Sequence, residues 1–208
     1  MYLPDHFAEP SPAVLHRLIQ AHPLGTLVTH GDTGLDANHL PFLLDAEQGA
    51  AGVLLAHVAR ANPLWQNLAN GTPVLVIFQG PQGYISPSWY PGKQDSHRRV
   101  PTWAYEVVHA HGTLQVHNDE KFLRGVLARL TRTHEATQPE PWKMGDAPAD
   151  YLHEQLQRIV GIEVRITRLV GKRKLNQNHE RRDREGAIQA LEAHGQQALA
   201  QTMKSTLP

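Results

Sequence analysis

The segment His57-Val58-Ala59-Arg60-Ala61-Asn62-Pro63 combines residue types that suit an anion. A predicted strand ends here, Arg60 follows it, and Asn62 with Pro63 is typical of the start of a short helix. Free backbone N–H groups and the positive end of a helix dipole gather at such a junction. An arginine guanidinium adds a fork of donors that fits a phosphate. The segment therefore predicts an anion site at Arg60, with a surface arginine beside an ordinary helix cap as the competing interpretation.

A second polar group follows the last predicted strand, from Gly171 to Asn178. Lys172 and Lys174 supply positive charge, while Gln177 and Asn178 carry both hydrogen-bond donors and acceptors. The pyrimidine edge of a flavin ring needs partners of this kind. A polar loop after a strand would show the same residues, so both interpretations stay open.

Aromatic residues flank a central region rich in proline and glycine. They are Trp89, Tyr90, Trp103 and Tyr105. Such rings stack on planar ligands, and they also pack in cores and dimer interfaces.

Basic residues crowd one C-terminal region, although the formal net charge of the chain is zero. They are Arg165, Arg168, Lys172, Arg173, Lys174, Arg181, Arg182 and Arg184. This crowding indicates a solvated surface or an anion site, for a ligand phosphate or a nucleic-acid backbone. The zero net charge argues against a broadly basic nucleic-acid binder.

The sequence excludes several classes of site. The chain has no cysteine, which rules out disulfides, thiolate zinc sites, iron–sulfur clusters and a cysteine nucleophile. His109 and His111 lie two apart on a predicted strand, but no carboxylate has ligand spacing to them, so no metal site is predicted. Phosphate-binding loops, dinucleotide fingerprints and nucleophile elbows do not occur. The N-terminus does not resemble a secretory signal, and no apolar run approaches the roughly 18 residues of a membrane span, so a cytoplasmic protein without membrane contact is expected.

The elements that would position these residues are mostly consecutive strands with helices inserted singly. At least six strands and four helices are predicted, including a strand from Val107 to Val116 and a following helix capped by Asn118. This order favours a mainly β, α+β protein with peripheral helices around an antiparallel barrel. We expect one domain over residues 1–185 and a weak helix or tail over residues 186–208.

Motifs along nearly the whole chain, in order, resemble the PaiB family of FMN-binding negative transcriptional regulators. The motifs are Met1-Tyr2-x-Pro4-x-His6-Phe7, His39-Leu40-Pro41-Phe42, the segment from His57 to Pro63, Gly80-Pro81-x-x-Tyr84-Ile85-Ser86-Pro87-Ser88-Trp89-Tyr90, Val100-Pro101-Thr102-Trp103-x-Tyr105, Ile159-Val160-Gly161-Ile162-Glu163 and Gly171-Lys172-x-Lys174-Leu175-x-Gln177-Asn178. Two positions depart from the family pattern: Ala104 replaces a common asparagine, and Asn176 replaces a common serine.

The resemblance implies a split β-barrel that binds FMN at the interface of a homodimer. It implies that Arg60 and Asn62 hold the phosphate, with His57 nearby. Trp103 and Tyr105 would line the ring site. The side chains that would close it, from either subunit, are Lys172, Lys174, Gln177 and Asn178.

The function implied is negative transcriptional regulation by an FMN-binding protein. DNA is then a partner, although the sequence shows neither a helix-turn-helix pair nor a zinc finger. The alternative is an FMN-dependent oxidoreductase or a haem-binding or haem-degrading split-barrel relative, because this fold serves all of these. No catalytic residue is predicted.

Overall fold

The structure is a computed structural model of the 208-residue chain, and it describes residues 1–32 and 34–207. The strands are β1 (Ala8–Glu9), β2 (Leu24–Gly31), β3 (Gly34–Pro41), β4 (Leu43–Asp45), β5 (Val53–Ala59), β6 (Pro73–Ile85), β7 (Thr102–His117) and β8 (Ile159–Lys174). The helices are α1 (Pro12–Ala21), α2 (Leu64–Asn67), α3 (Lys93–Ser96), α4 (Glu120–Glu135), α5 (Ala149–Gln157), α6 (Arg181–Ala193) and α7 (Gln197–Lys204). The α+β class predicted from the sequence is therefore confirmed.

The described strands form one sheet in the order β3-β2-β6-β7-β8-β5-β4, with the short β1 paired to β8. Strand β2 pairs antiparallel with β3 from Leu24 opposite Pro41, and β5 pairs antiparallel with β8 from Val53 opposite Arg165. The two end strands, β3 and β4, are not paired with each other within the described residues. Only Phe42 separates them along the chain.

The chain divides into two compact units. The first unit comprises residues 1–18, 79–108 and 170–208, and the second unit comprises residues 19–78 and 109–169.

In the second unit, helix α4 packs its apolar face on strand β5. Val53 and Leu55 of β5 form a buried cluster with Val126 and Leu130 of α4. The sequence predicted Asn118 as the cap of this helix, and that prediction is wrong by one residue. Asp119 is the N-cap, and its carboxylate accepts from the Phe122 N–H at 2.8 Å.

The connection between α2 and β6 is fastened to strand β7. Gly71 donates its N–H to the Leu114 carbonyl at 2.8 Å, and the Leu114 N–H returns a bond to Thr72 at 2.9 Å. The Asn70 side-chain oxygen accepts from the Val116 N–H at 2.8 Å. Gly71 has a φ of 89°, which glycine adopts without strain. These bonds fix the start of the 13-residue strand β6.

In the first unit, helices α6 and α7 complete a buried core. Their members of the cluster are Ala187, Ile188, Leu191, Leu199, Ala200 and Met203, and these side chains pack with Ile85, Tyr90, Ala104 and Leu175. Gly186 permits this packing, since a Cβ there would clash with the Trp89 carbonyl oxygen. The segment predicted as a weak helix or tail thus supplies six of the ten buried residues of this apolar core.

The region rich in glycine and proline before β7 is fastened to the N-terminal turn of α6. Asp183 is fully buried and accepts from the Gly92 N–H at 2.7 Å and from Arg99 Nε at 2.8 Å. Arg182 forms a second, exposed ion pair with Asp95 of α3. The segment between Pro91 and Arg99 therefore contains helix α3 and is anchored at Gly92 and Arg99.

Candidate functional site

Arg60 lies directly after β5 in the second unit, and most of its donors are already bonded. Its Nε donates to the Gln157 carbonyl at 2.6 Å, and its Nη2 donates to the Ile159 carbonyl at 2.9 Å and to Asn118 Oδ1 at 2.8 Å. The guanidinium also lies 5.8 Å from the centre of the Trp65 ring. Arg60 thus fastens the end of β5 to the α5–β8 connection, and a phosphate would have to use its remaining donors.

An open pocket of about 350 Å³ lies beside Arg60. Glu120 also lines this pocket, and its carboxylate forms an ion pair with Arg124 at 2.7 Å. The negative charge of Glu120 weakens the attraction of this pocket for a phosphate.

Asn62 begins α2 through its side chain. Its Oδ1 accepts from the Leu64 N–H at 2.9 Å, and its Nδ2 donates to Asn38 at 2.8 Å. The predicted helix start is therefore present. Helix α2 has only four residues, however, so few peptide dipoles align behind it.

His57 carries a buried polar atom without a partner. It lies on β5 opposite Gly161, and its Nδ1 makes no hydrogen bond within the described residues. Burial lowers the pKa of His57, so the ring is neutral at pH 7. A buried nitrogen that stays unpaired costs about 1–3 kcal/mol. A ligand atom that bonded to Nδ1 would remove this cost.

In the first unit, the strand ends of β7 and β8 bring four predicted residues together. Trp103 and Tyr105 share one face of β7, while Ala104 between them points into the core. The Trp103 ring is 48% exposed, and its Nε1 donates to Gln82 at 3.2 Å. The ammonium of Lys172 lies 5.5 Å from the centre of the Tyr105 ring. The core position of Ala104 explains the departure from the family's asparagine without invoking a lost ligand contact.

Lys174 reaches back to the start of β7. Its Nζ bonds to the Thr102 hydroxyl and donates to the Trp103 carbonyl at 2.8 Å. Burial lowers the pKa of Lys174, and the neighbouring charge of Lys172 lowers it further. Lys174, Trp103, Tyr105 and Lys172 therefore form one partly exposed face, here called the lysine–aromatic face.

The predicted residues Gln177 and Asn178 differ in their surroundings. Gln177 donates to the Arg173 carbonyl at 2.6 Å and accepts from the Leu175 N–H at 2.7 Å, so its amide stabilises the turn after β8. Asn178 is exposed. A ligand could therefore reach Asn178 directly, whereas it would have to replace bonds of Gln177.

Asn176, the other departure from the family pattern, is explained by its backbone. Its φ of 62° lies in the left-handed region, which asparagine tolerates better than most residues. Its Nδ2 donates to the Tyr90 hydroxyl at 2.9 Å, and the Tyr90 ring stacks on His179 with centres 4.9 Å apart. Burial raises the pKa of Tyr90 to about 12.

The basic residues after β8 do not form a continuous free patch. Arg181 pairs with Glu185 at 2.7 Å, and Arg182 pairs with Asp95 and Glu180. Arg184 is 5% exposed and donates to the Thr206 carbonyl at 2.6 Å. These three arginines are therefore largely neutralised or buried.

Residues 1–32 and 34–207 contain neither a metal-binding cluster nor a membrane-spanning helix. No group of three or more His, Asp or Glu side chains there is placed to hold a metal ion. None of the helices in those ranges has both the length and the apolar character to cross a bilayer.

Comparisons with known proteins identify the family of this chain and solved structures of similar fold. Residues 1–168 match the family model described as "Putative FMN-binding domain". An uncharacterised protein of Emericella nidulans is 32% identical over 233 residues, covering 95% of this chain and 93% of its own. Protease synthase and sporulation protein PAI 2 of Bacillus subtilis is 29% identical over 192 residues, covering 92% of this chain and 89% of its own.

Among solved structures, the FAD and haem binding protein from Mycobacterium smegmatis has a similar fold. The TM-score is 0.59 at 19% identity, over 80% of this chain and 73% of that one. At this identity the likeness concerns the fold alone.

Proposed function

The chain belongs to the FMN-binding domain family, and from this premise we propose that it is a PaiB-type negative transcriptional regulator controlled by bound FMN. The resemblance to the PaiB family and FMN as the cofactor, both predicted from the sequence, are confirmed by the family match and by the PAI 2 relative. The regulatory role is our inference from that relationship.

The observation that carries FMN binding in this chain is His57 Nδ1, a buried atom with no hydrogen-bond partner among the residues that the structure describes. Proteins seldom leave a buried polar atom unsatisfied, and a functional ligand is one accepted reason. His57 lies on the segment where the family resemblance puts the flavin phosphate, beside Arg60 and Asn62. We assign the phosphate end of FMN to these three residues, with Asn62 and the remaining donors of Arg60 as its partners.

The lysine–aromatic face fits the ring of FMN. Trp103 and Tyr105 present partly exposed rings suited to stacking, and Asn178 offers an exposed amide. Lys172, Lys174 and Gln177 complete the proposed set. When bound, FMN supplies electron and hydride transfer, while these side chains orient the ring and limit the access of water.

We further propose a split β-barrel that assembles as a homodimer in the cytoplasm. Support for the barrel comes from Phe42, because one residue joins β3 and β4, which stand at opposite ends of the strand order. Such a connection requires the two ends of the sheet to approach each other. An open sheet edge favours a twofold partner, since an unpaired strand otherwise attracts other chains.

The test begins with the absorption spectrum of freshly purified protein and a titration with FMN. We expect a flavin spectrum or saturable FMN binding, and weaker binding by His57→Phe, which removes Nδ1 and keeps a ring. His39→Phe, an exposed histidine on β3, is the matched control. Absence of FMN binding by the wild-type protein would contradict the proposal.

The regulatory part needs a DNA-binding assay with and without FMN across a salt series. Specific binding that changes with FMN supports the regulator, and its salt slope reports the number of phosphate contacts. The second candidate is an oxidoreductase or a haem-binding relative, favoured by the similar fold of the FAD and haem binding protein from Mycobacterium smegmatis. Oxidation of NAD(P)H with added FMN, or a haem absorption band, would support this candidate over the regulator.

A further inference from the structure

The lysine–aromatic face contains a buried positive charge that has no counter-ion among residues 1–32 and 34–207. Lys172 is only 8% exposed, and its Nζ donates to the Tyr2 carbonyl at 3.1 Å. The rings of Tyr2 and Tyr105 lie 5.6 and 5.5 Å from the same ammonium group. Within the described residues neither Lys172 nor Lys174 forms an ion pair with a carboxylate.

Arg173, on the same strand, is a cation that does have carboxylate partners. It lies between the two lysines and points to the other face, where it pairs with Glu106 and, at 3.5 Å, with Glu9. A buried cation normally has such a partner, because desolvation without pairing is costly. In the part of the chain that the structure describes, the cation on one face of β8 thus has carboxylate partners, and the two cations on the other face have none.

We propose that Lys172 and Lys174 form an oxyanion subsite that takes a phosphate or carboxylate group within the flavin site. This inference rests on the proposed function for its location and names the ligand chemistry at one end of that site. The two tyrosine rings beside Lys172 suit an anion attached to a flat or conjugated ligand.

Two sources could supply this anion. One is the phosphate of FMN itself, which would then lie at the lysines instead of at His57, Arg60 and Asn62. The bonds that already hold Arg60 Nε and Nη2 to carbonyl and amide oxygens favour this source. The other is a separate anionic ligand that binds beside the flavin. The chemistry at the lysines is the same, and riboflavin, which lacks the phosphate, distinguishes the sources.

The experiment compares the full-length variants Lys172→Met and Lys174→Met with Lys204→Met, which removes an exposed cation of the same unit. Inorganic phosphate is the first probe, read as the rise in Tm on titration. Wild type and Lys204→Met should show this rise, and the two site variants should lose it. Lys174→Arg should keep it. Without ligand, Lys172→Met should melt at the same temperature as the wild type or higher, because it removes an unpaired buried charge.

The second probe is the pair FMN and riboflavin. If the lysines take the phosphate of FMN, each site variant should weaken FMN binding roughly 10- to 100-fold and leave riboflavin nearly unchanged. If they take a separate anion, FMN and riboflavin should change alike, and phosphate should still bind to the FMN-loaded wild type. The subsite is wrong if neither the phosphate response nor the difference between FMN and riboflavin depends on Lys172 and Lys174. Failure of the wild type to bind FMN would instead contradict the proposed function, since the phosphate titration needs no flavin.

Discussion

Arg60 combines a proposed ligand role with an observed structural one. Its guanidinium bonds to two backbone carbonyls and to Asn118, and these contacts connect β5 to the residues before β8. The two roles predict different consequences of substitution. A ligand role changes affinity alone, whereas the observed bonds contribute to folding.

We expect Arg60→Met to lower the free energy of unfolding by about 1–3 kcal/mol, because three acceptors lose a charged donor. Urea denaturation of the protein without flavin measures this change. Arg124→Met is the control, since its exposed pair with Glu120 should contribute less than about 1 kcal/mol. A loss of FMN affinity in Arg60→Met with unchanged unfolding would show that the carbonyl bonds matter little in solution.

The raised pKa of Tyr90 should make the stability of the protein depend on pH in the alkaline range. Burial raises the pKa of Tyr90 to about 12, against a usual value of 10.0. The neutral phenol therefore stabilises the folded state fully below pH 10, and this contribution disappears as the pH rises from about 10 to about 12. Tyr90→Phe should lack this component of the alkaline decline.

The measurement is thermal unfolding of wild type and Tyr90→Phe between pH 8 and 12, compared as a difference. Other tyrosines and lysines titrate equally in both proteins and cancel. A difference that stays constant over the whole range would show that Tyr90 ionises normally.

At the scale of elements, Asp183 links helix α6 to the segment that precedes β7. It is buried and bonds both to a backbone N–H and to Arg99, while the neighbouring pair of Arg182 with Asp95 is exposed. The segment that Asp183 holds leads directly into Thr102, which bonds to Lys174, and then into Trp103 of the lysine–aromatic face. Asp183 thus positions this face without belonging to it.

We expect Asp183→Asn to cost about 1.5–3 kcal/mol, because Arg99 loses its charged partner while the bond to Gly92 can persist. Limited proteolysis should cut the variant faster between Pro87 and Pro101. Asp95→Asn is the control and should change stability by less than about 1 kcal/mol, since its ion pair is exposed. Equal effects of both substitutions would contradict the anchoring role of Asp183.

The sequence predicted the elements that have a clear apolar period and missed those that depend on distant contacts. The alternation from Val107 to Val116 indicated β7, and the strand is present. The sequence predicted only a weak helix or tail where α6 and α7 contribute to the core. The many alanine and glutamine residues there leave no clear apolar period, and burial of the alanines depends on the core that faces them. Asp183 gave no local signal, since its partners lie more than 80 residues away in the chain.

The candidate site was predictable to a similar extent. The sequence identified Lys172 and Lys174 but put them after the last predicted strand, whereas the structure extends β8 to Lys174 and shows no carboxylate paired with either lysine within the described residues. The family resemblance pointed to His57, but only burial identifies Nδ1 as unsatisfied. Tyr2 was part of the resemblance, yet its contact with Lys172 spans 170 residues and leaves no pattern in the sequence.

At the scale of the whole molecule, the open sheet edge predicts association. Strand β3 stands at one end of the strand order, and most of its residues are exposed. Among them, Leu35 is 77% exposed. An apolar residue on an unpaired edge favours contact with another chain.

Light scattering should therefore give twice the 23.2 kDa of one chain at micromolar concentration. Leu35→Glu should shift this equilibrium toward the monomer if the β3 edge lies in the interface, because two carboxylates would be buried there. Leu24→Glu, at the opposite end of the same hairpin, tests how far the contact extends. A wild-type protein that stays monomeric would rule out the homodimer.

The turn at Asn70 and Gly71 also affects the chemical stability of the protein over time. An asparagine followed by glycine is the step at which proteins most readily deamidate, by attack of the glycine nitrogen on the asparagine side-chain carbonyl. Here that nitrogen is engaged as a donor to Leu114, and the carbonyl oxygen is held by the Val116 N–H. The two bonds that hold the α2–β6 connection against β7 therefore also restrain both reacting groups, and ring closure would have to break them. Isoaspartate should accumulate at this step slowly in the folded protein and quickly once the chain unfolds.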